Sequence, residues 1–327
     1  MPTTTLVTGA AGFAGSHLLD LLAPDGGTLI AWRRPGRSTG AAAGRSTPPL
    51  ADDPARVQWG DIDLLDAAAV CDAVARARPD LVYHCAGAAH VGRAWDEVAP
   101  TLAINVRGTH HLLDALRRAG VAARVVIPSS ALVYASADEA LTERHPLVPT
   151  SPYGVSKLAQ ELLGCRGASD GLSVTIARAF NHFGPRQDPF FVASGFARRI
   201  ADIEAGRWEP EIAVGNLDAR RDLTDVRDTV RAYRLILERG IAGRTYNVCS
   251  GCAIAIRDLL HKLLARARVP IRVRIDPNRY RPNDVPLLLG DPSRIQDELG
   301  WSAEIPLERT LDDLLDYWRQ QAEAARS

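Results

Sequence analysis

Short apolar runs alternate with stretches of helical periodicity through the first 180 residues of the chain. Runs that predict strands lie at residues 3–9, 28–32, 56–60, 80–87, 123–130 and 172–180. Helix-period stretches lie between most of them, at residues 13–23, 66–77, 101–120 and 151–164, and Gly120 is placed to end the third. Near-continuous apolar strands that alternate with helices predict an α/β fold, a doubly wound parallel sheet covered on both faces.

The pattern changes after Phe180. A stretch of loop chemistry, NHFGPRQDPFF, is followed by helical stretches that are mixed with the short strand-like runs EIAVG, RTYNVCS and IRVRID. We therefore predict two domains. The first spans residues 1–178 and is rejoined by about 222–250, and a smaller, partly interleaved C-terminal α/β domain spans 179–221 and 251–327.

A glycine pattern joins the first predicted strand to the first predicted helix. The stretch TGAAGFAG places Gly9, Gly12 and Gly15 three residues apart, with Phe13 and Ala14 in the same turn. The first glycine allows a tight turn, the second lets a pyrophosphate approach the backbone, and the third lets the helix pack on the strand. A helix that begins here also offers free N–H groups to phosphates. The sequence thus predicts a Rossmann-type dinucleotide-binding domain.

The end of the second predicted strand bears on the choice of cofactor. NAD-binding domains usually carry an acidic residue there, whereas this chain has Trp32 followed by Arg33 and Arg34. Two guanidinium groups suit a 2′-phosphate, so we expect NADPH in preference to NADH, although such a pair also fits a solvated basic loop. Asp61, followed by Ile62, ends the third strand, where its carboxylate could accept from the adenine amino group or cap a helix.

Lysine occurs at only two positions, Lys157 and Lys262, in a chain with 39 lysine and arginine residues. Lys157 follows Tyr153 by four residues, so the two share a helix face. An ammonium beside a phenol favours the phenolate, and we expect Lys157 to lower the pKa of Tyr153 from about 10 toward neutrality. Ser130 closes a predicted strand at the edge where doubly wound sheets bind ligands. The three residues predict a proton-transfer site, although each pattern alone also arises by chance.

Composition excludes several other functions. The formal net charge is +0, so no long-range field attracts nucleic acid or a membrane surface, and no apolar run approaches a membrane span. The N-terminal stretch has no basic region and no cleavage site, so we expect no signal peptide, and five cysteines predict no disulfide framework. Cys249 and Cys252 form a C-x-x-C pair, but a second pair of zinc ligands with suitable spacing is missing from the sequence. We expect a cytoplasmic protein without a metal.

These motifs together resemble the extended short-chain dehydrogenase/reductase family. Within it, the stretches RAFNHFGPRQDPFFVASGFARRIADIEAG (178–206), VGNLDARRDLTDVRDTVRAY (214–233), TYNVCSG (245–251) and RPNDVPLLLGD (281–291) resemble the branch of GDP-4-dehydro-6-deoxy-D-mannose reductases. The resemblance covers nearly the whole chain. It implies that the first domain binds NADPH or NADH and that the second binds a nucleotide sugar.

The resemblance also implies roles for individual residues. Ser130, Tyr153 and Lys157 would form the catalytic set, and Asn105 would bend the central helix and support a proton path. Ala86, Gly87 and Phe180 would join the cofactor site. A further set would hold the GDP-linked sugar: Asn181, Arg186, Val192, Arg221, Arg281 and Asp284.

One departure decides between reactions. Relatives that eliminate water need an acidic residue two positions before Tyr134, whereas this chain has Leu132. The resemblance therefore implies a reductase that transfers hydride to the carbon-4 keto group of GDP-4-dehydro-6-deoxy-D-mannose, giving GDP-D-rhamnose or its carbon-4 epimer. The alternatives are a nucleotide-sugar 4-epimerase with tightly bound NAD and a non-catalytic dinucleotide-binding protein. Related proteins imply a homodimer formed through the helices predicted at 101–116 and 153–163.

Overall fold

The computed structural model of the 327-residue chain describes residues 3–36, 57–280 and 285–324. The strands within these ranges are β1 (Thr4–Thr8), β2 (Thr28–Arg33), β3 (Val57–Asp61), β4 (Leu81–His84), β5 (Arg124–Ser130), β6 (Ser173–Ala179), β7 (Asn181–Phe183), β8 (Glu211–Val214), β9 (Arg220–Asp225), β10 (Thr245–Val248), β11 (Ala253–Ala255), β12 (Arg272–Ile275) and β13 (Leu287–Leu288). The helices are α1 (Phe13–Leu22), α2 (Ala67–Ala77), α3 (Arg93–Asp96), α4 (Val98–Leu102), α5 (Gly108–Arg118), α6 (Pro152–Ser169), α7 (Val192–Glu204), α8 (Val226–Arg239), α9 (Ile256–Leu264), α10 (Ser293–Leu299) and α11 (Leu307–Ala324).

Seven parallel strands form the main sheet in the order β10-β6-β5-β4-β1-β2-β3. The chain runs outward from β1 through β2 to β3, then returns to the other side of β1 to build β4, β5 and β6. The order therefore reverses between β1 and β4. Open α/β sheets bind their ligands at such a reversal, beyond the carboxyl ends of the strands. The predicted doubly wound fold is confirmed.

Each face of the main sheet has its own hydrophobic core. Leu6 and Val7 are neighbours in β1 and fully buried, and they belong to different clusters because successive side chains of a strand point to opposite faces. Val7 packs with Val230 and Tyr233 of α8, whereas Leu6 shares a cluster with Leu112 of α5. Full burial of one such aliphatic side chain contributes about 1.5–3 kcal/mol.

The second half of the chain builds a smaller layer beside this sheet. β9 pairs with β7, β11 and β13, and β8 pairs with β12. Helices α7, α9 and α11 enclose a separate core that includes Ile200, Leu260 and Leu314. Helix α8 and strand β10 lie with the main sheet. The sequence predicts that the chain rejoins the first domain near residue 222, whereas this residue lies inside β9, a strand of the smaller sheet. The domain boundaries stay a prediction.

The helix predicted at residues 101–120 is interrupted. A π-helical turn, Ala103–Arg107, separates α4 from α5. The Thr109 hydroxyl donates to the Asn105 carbonyl over 2.6 Å, which gives this carbonyl a side-chain partner within the turn. Gly120 ends the helical segment with a φ of +58°, as predicted. Among the described residues, no helix is both long and apolar enough to span a membrane.

Candidate active site

The glycine turn between β1 and α1 leaves no room for side chains. Gly9 has a φ of +65°, and a Cβ there would lie 2.6 Å from the Ala86 backbone. A Cβ on Gly15 would lie 2.3 Å from the Gly9 carbonyl oxygen. Gly12 is the N-cap residue of α1 and makes no side-chain hydrogen bond, so no capping side chain occupies the first N–H groups of the helix. This bare helix start, at the reversal point of the sheet, fits a bound pyrophosphate.

The two charges predicted to select the cofactor contact each other. Arg33 and Asp61 are paired in register at the ends of β2 and β3, and Arg33 Nε donates to Asp61 Oδ1 over 2.7 Å. The hydrogen bond raises the pKa of Arg33 and lowers that of Asp61. The Arg33 guanidinium also lies 5.4 Å from the Trp59 ring, while Ile62 packs in the core and Arg34 is exposed. The four positions predicted to contact the cofactor thus lie at or just after the carboxyl ends of β2 and β3: Arg33, Arg34, Asp61 and Ile62.

Asn105 clamps the loop after β4 to helix α6. Its side-chain oxygen accepts from the Ala88 N–H over 2.7 Å, and its amide donates to the Ala88 carbonyl and to Ser156 Oγ. A Cβ on Gly87 would lie 2.8 Å from Asn105 Oδ1, so the close approach needs glycine. The Ala86 N–H donates to Thr8 in turn. Asn105 therefore fixes the backbone of the loop after β4 that includes Gly87 and Ala88, and its part in a proton path stays a prediction.

Ser130 and Tyr153 meet at the carboxyl end of β5. Burial raises the pKa of Tyr153 to about 12, and a hydrogen bond with the Ser130 side chain acts in the opposite direction. Ser130 Oγ also accepts from the Leu132 N–H over 3.2 Å. The expectation that Lys157 lowers the pKa of this phenol is wrong for this structure, because desolvation disfavours the phenolate more than its neighbours favour it.

Lys157 is buried, and its ammonium is bound by neutral oxygens. Nζ donates to the Pro128 carbonyl over 2.7 Å and to Gln160 Oε1 over 2.6 Å. Burial lowers the pKa of Lys157 to about 8, although Glu161 and Cys85 oppose the shift. Two of the three ammonium protons are thereby used, which leaves one for another partner.

Phe180, predicted at the cofactor site, and the predicted substrate residues lie on the smaller layer and the segments leading to it. Phe180 is buried and follows β6, Asn181 is exposed in β7, and Val192 begins α7 with 41% of its surface exposed. Arg221, in β9, donates to the Val285 carbonyl over 2.6 Å. Arg281 and Asp284 lie outside the described residues.

Arg186 is held by helix α1. It has a φ of +74°, its guanidinium donates to Asp20 over 2.6 Å, and it also contacts His17. The His17 ring in turn lies 2.9 Å from the Pro185 carbonyl oxygen. These contacts dock the loop after β7 onto the helix that begins at the glycine turn. The predicted contact between Arg186 and a sugar nucleotide stays a prediction.

The sequence analysis missed several polar residues around this site. His182 stacks on Phe13 with ring centroids 5.7 Å apart, and Ser156 links Asn105 to the Tyr153 carbonyl. Gln160 and His84 lie within the interior. Two signals were available. Gln160 follows Lys157 by three residues on the same helix face, and His84 ends a strand at the ligand edge.

Comparison with known proteins gives a consistent set of matches. The family model described as GDP-mannose 4,6 dehydratase matches residues 6–314. GDP-6-deoxy-D-mannose reductase of Pseudomonas aeruginosa is 38% identical over 247 residues, which cover 74% of this chain and 81% of that protein. dTDP-glucose 4,6-dehydratase of Streptomyces griseus is 35% identical over 319 residues, 94% of this chain and 91% of that protein. The structure of RMD from Pseudomonas aeruginosa complexed with NADPH matches with a TM-score of 0.81 at 33% identity, covering 98% of this chain and 100% of that one.

Proposed function

The chain belongs to the GDP-mannose 4,6-dehydratase family, within the extended short-chain dehydrogenases/reductases, and on this premise we propose that it is an NADPH-dependent reductase. The proposed substrate is GDP-4-dehydro-6-deoxy-D-mannose. Reduction of its carbon-4 keto group gives GDP-D-rhamnose or the carbon-4 epimer, according to the sugar face presented to the cofactor.

The observation that carries this proposal is the state of the Ser130 and Tyr153 pair. Burial raises the pKa of Tyr153 to about 12, so the phenol is protonated at neutral pH. A ketone reduction needs a proton donor for the forming alkoxide, and a neutral phenol is such a donor. The protonated phenol, hydrogen-bonded to Ser130 at the carboxyl end of β5, therefore supports a reduction.

In the proposed reaction each protein group has one task. NADPH, when bound, supplies the hydride. Ser130 holds the carbon-4 oxygen, and Tyr153 donates its proton to that oxygen as negative charge develops. The third ammonium proton of Lys157 is available to a cofactor hydroxyl, since the other two are bound by Pro128 and Gln160.

The turn after β5 supports a reductase over a dehydratase. Elimination of water from the sugar needs a carboxyl group near the substrate, and the stretch SSALVY at 129–134 contains none. Leu132 stands where such relatives carry the acid, and it packs against the buried cluster of Val133 and Tyr134. The chain is 35% identical to a dTDP-glucose 4,6-dehydratase, but it has no carboxyl group in this stretch.

The residues present fit a dinucleotide. The glycine turn has no space for a Cβ at Gly9 or Gly15, and a pyrophosphate can approach such a bare backbone. Arg33 and Arg34, at the end of β2, carry guanidinium groups that suit a 2′-phosphate, which supports NADPH. The structurally similar RMD is complexed with NADPH. The proposed contacts of the GDP-sugar stay Asn181, Arg186, Val192, Arg221, Arg281 and Asp284.

A homodimer is part of the proposal. Helices α4 and α6 expose apolar side chains on one side of the molecule: Val98 and Leu102 on α4, and Val155 and Leu162 on α6 are 36–62% exposed. The segments that the sequence predicted at the interface, 101–116 and 153–163, include Leu102, Val155 and Leu162, whereas Val98 precedes the first of them. Apolar side chains on neighbouring helices suit a four-helix contact between two copies. The cytoplasmic location stays a prediction.

The test is cofactor oxidation with the proposed substrate. Purified protein, NADPH and GDP-4-dehydro-6-deoxy-D-mannose should lose nicotinamide absorbance in a one-to-one ratio with the sugar reduced. NADH in parallel tests the role of Arg33 and Arg34. If a folded protein that binds NADPH oxidises none of it, the proposed substrate is wrong. Interconversion of sugar epimers without net oxidation would assign the chain as a 4-epimerase.

A further inference from the structure

Five buried polar side chains form a continuous line of hydrogen bonds from the catalytic lysine to the glycine turn. Lys157 Nζ donates to Gln160 Oε1 over 2.6 Å, and Gln160 Nε2 donates to Thr109 Oγ1 over 2.8 Å. Thr109 Oγ1 lies 2.8 Å from His84 Nε2, and His84 Nδ1 lies 2.8 Å from Thr8 Oγ1. All five residues are at least 92% buried. Thr8 is the last residue of β1 and immediately precedes Gly9.

Donor and acceptor chemistry fixes one orientation for the first half of this line. An ammonium can only donate, so Gln160 must turn its oxygen toward Lys157 and its NH₂ toward Thr109. The single Thr109 proton goes to the Asn105 carbonyl oxygen, 2.6 Å away, which can only accept. Both remaining Thr109 lone pairs therefore accept, one from Gln160 and one from His84. If the Gln160 amide were flipped, its NH₂ group would face the Lys157 ammonium, and neither group could accept a hydrogen bond from the other.

The second half of the line follows from the first. Because Thr109 accepts, His84 carries its proton on Nε2, and its Nδ1 accepts from the Thr8 hydroxyl. Thr8 in turn accepts from the Ala86 N–H over 3.3 Å. The imidazole is neutral, since burial and the charge of Lys157 lower the pKa of His84 to about 3. Every side-chain proton that these hydrogen bonds use between Lys157 and Thr8 is thus assigned.

We propose that Gln160 is a positioning residue for Lys157, and that Thr109 and His84 tie its position to Thr8 and the glycine turn. The inference rests on the proposed function only for the catalytic role of Lys157. The line of hydrogen bonds fixes the position of the Lys157 ammonium relative to the glycine turn, which would hold the cofactor. The one ammonium proton that neither Pro128 nor Gln160 binds then has a defined direction.

This line holds the ammonium in place and does not conduct protons. A carboxamide passes a proton on only through a high-energy tautomer, and the neutral His84 has both ring nitrogens occupied by fixed partners. Replacement of the Tyr153 proton therefore proceeds by another route. Removal of the Gln160 side chain should shift the pKa of Lys157, because the ammonium loses one of its two acceptors.

The charged and titratable groups around Lys157 come from several elements. Those that act on its pKa are Glu161 of α6 and Cys85 after β4, which both raise it. Glu161 is itself paired with Arg178 of β6 over 2.7 Å. His84 and His182 are kept neutral by burial and by Lys157. Gln160 is thus the one uncharged side chain that binds the Lys157 ammonium directly among the described residues.

The chain allows a direct measurement, because it has only two lysines. Protein labelled with ¹³C at the lysine Cε position gives two NMR signals, and Lys262→Arg assigns them. Lys262 is half-exposed and paired with Glu308, so it serves as an internal reference. Titration of the Lys157 signal reports its pKa without substrate or cofactor. The wild-type signal should titrate with a pKa of about 8.

Two variants of Gln160 should move this titration in opposite directions. Gln160→Met removes an acceptor and should lower the pKa of Lys157 by about one unit, whereas Gln160→Glu adds an opposite charge and should raise it by about one unit or more. Thr109→Val should shift it downward by less. Thr175→Val is the matched control, because it deletes another buried hydroxyl, on β6, that donates to the Val125 carbonyl.

The inference is contradicted if both Gln160 variants titrate like the wild type, or if Thr175→Val shifts Lys157 as far as Gln160→Met does. Should Gln160→Met fail to fold, Gln160→Glu against Thr175→Val decides the question in the same way. A wild-type protein that oxidises no NADPH with the sugar nucleotide would contradict the proposed function. The titration of Lys157 would still decide the role of Gln160.

Discussion

At the scale of single residues, Tyr153 and Lys157 lie one helical turn apart and respond to burial in opposite directions. Burial raises the pKa of the phenol to about 12 and lowers that of the ammonium to about 8. In both cases the charged form is disfavoured, since a low-dielectric site penalises any isolated charge. The resting site therefore holds a neutral proton donor beside a lysine that is charged below about pH 8.

Removal of the phenol oxygen should abolish turnover without loss of cofactor binding. Tyr153→Phe should lower kcat by about 10²–10⁴-fold, because the forming alkoxide loses its proton donor. NADPH affinity, measured by nicotinamide fluorescence, should change little. Tyr246→Phe is the control, since its hydroxyl bonds to Glu298 and the Ile241 N–H away from the site. Equal losses in the two variants would contradict the role of Tyr153.

Lys157 should make folding stability depend on pH in the alkaline range. Its pKa falls from 10.5 to about 8 on folding, so the unfolded chain binds the extra proton between these values. The free-energy cost of burying the charged Lys157 is fully present below about pH 8 and absent above pH 10.5. The wild type should therefore gain roughly 3 kcal/mol relative to Lys157→Met between these limits, as measured by urea unfolding. A constant difference between the two proteins would contradict a buried, shifted lysine.

The sequence located Ser130, Tyr153 and Lys157 because their spacing follows a helix face and a strand end. It did not locate the partners of Lys157. Gln160 bonds to Thr109 across 51 positions, and Thr8 bonds to His84 across 76. A buried polar residue in a single sequence looks like any other polar residue until the fold brings its partner next to it.

At the scale of elements, the glycine turn should respond to a single methyl group. Gly9→Ala should cost about 1–3 kcal/mol beyond the strain of its φ, because the new Cβ would overlap the Ala86 backbone. Gly120→Ala is the matched control, since Gly120 has a similar φ of +58° and open space around it, and should cost about 1 kcal/mol. Thermal unfolding and NADPH fluorescence measure both effects. If Gly9→Ala binds NADPH as well as Gly120→Ala does, the turn is not the phosphate site.

The helical segments also show where periodicity stops being informative. Apolar spacing predicted a single helix at 101–120, and the structure inserts the π turn at Ala103–Arg107. A π turn adds one residue to one turn, a change too small to register in a hydrophobic pattern over 20 residues. At this turn the Asn105 side chain binds the loop after β4, and the Thr109 hydroxyl donates to the Asn105 carbonyl.

At the scale of the whole molecule, the smaller layer is fastened to the glycine turn by contacts across the chain. Arg186 pairs with Asp20, and His182 stacks on Phe13. The alternation of strands and helices predicted the doubly wound parallel sheet, because near-continuous apolar strands between helices are typical of one. The contacts between the layers were not predictable in this way, since Asp20 and Arg186 lie 166 residues apart.

The proposed dimer depends on the exposed apolar face of α4 and α6. Leu162→Glu should give a monomer in light scattering, because a charge would be buried at the centre of the helix contact. Ile241→Glu introduces the same charge at a residue that is 55% exposed and lies in the loop between α8 and β10, outside the two helices. It should leave the dimer intact. A monomeric wild type, or a Leu162→Glu protein of unchanged mass, would contradict this interface.

The most direct test of the reductase follows the hydrogen itself. NADPH carrying deuterium at the transferred position should be incubated with GDP-4-dehydro-6-deoxy-D-mannose, and the product analysed by mass spectrometry and proton NMR. The account predicts one deuterium per product molecule, located at carbon 4, with one NADPH oxidised for each. Product without deuterium, or deuterium at any other carbon, would contradict hydride transfer to the carbon-4 keto group.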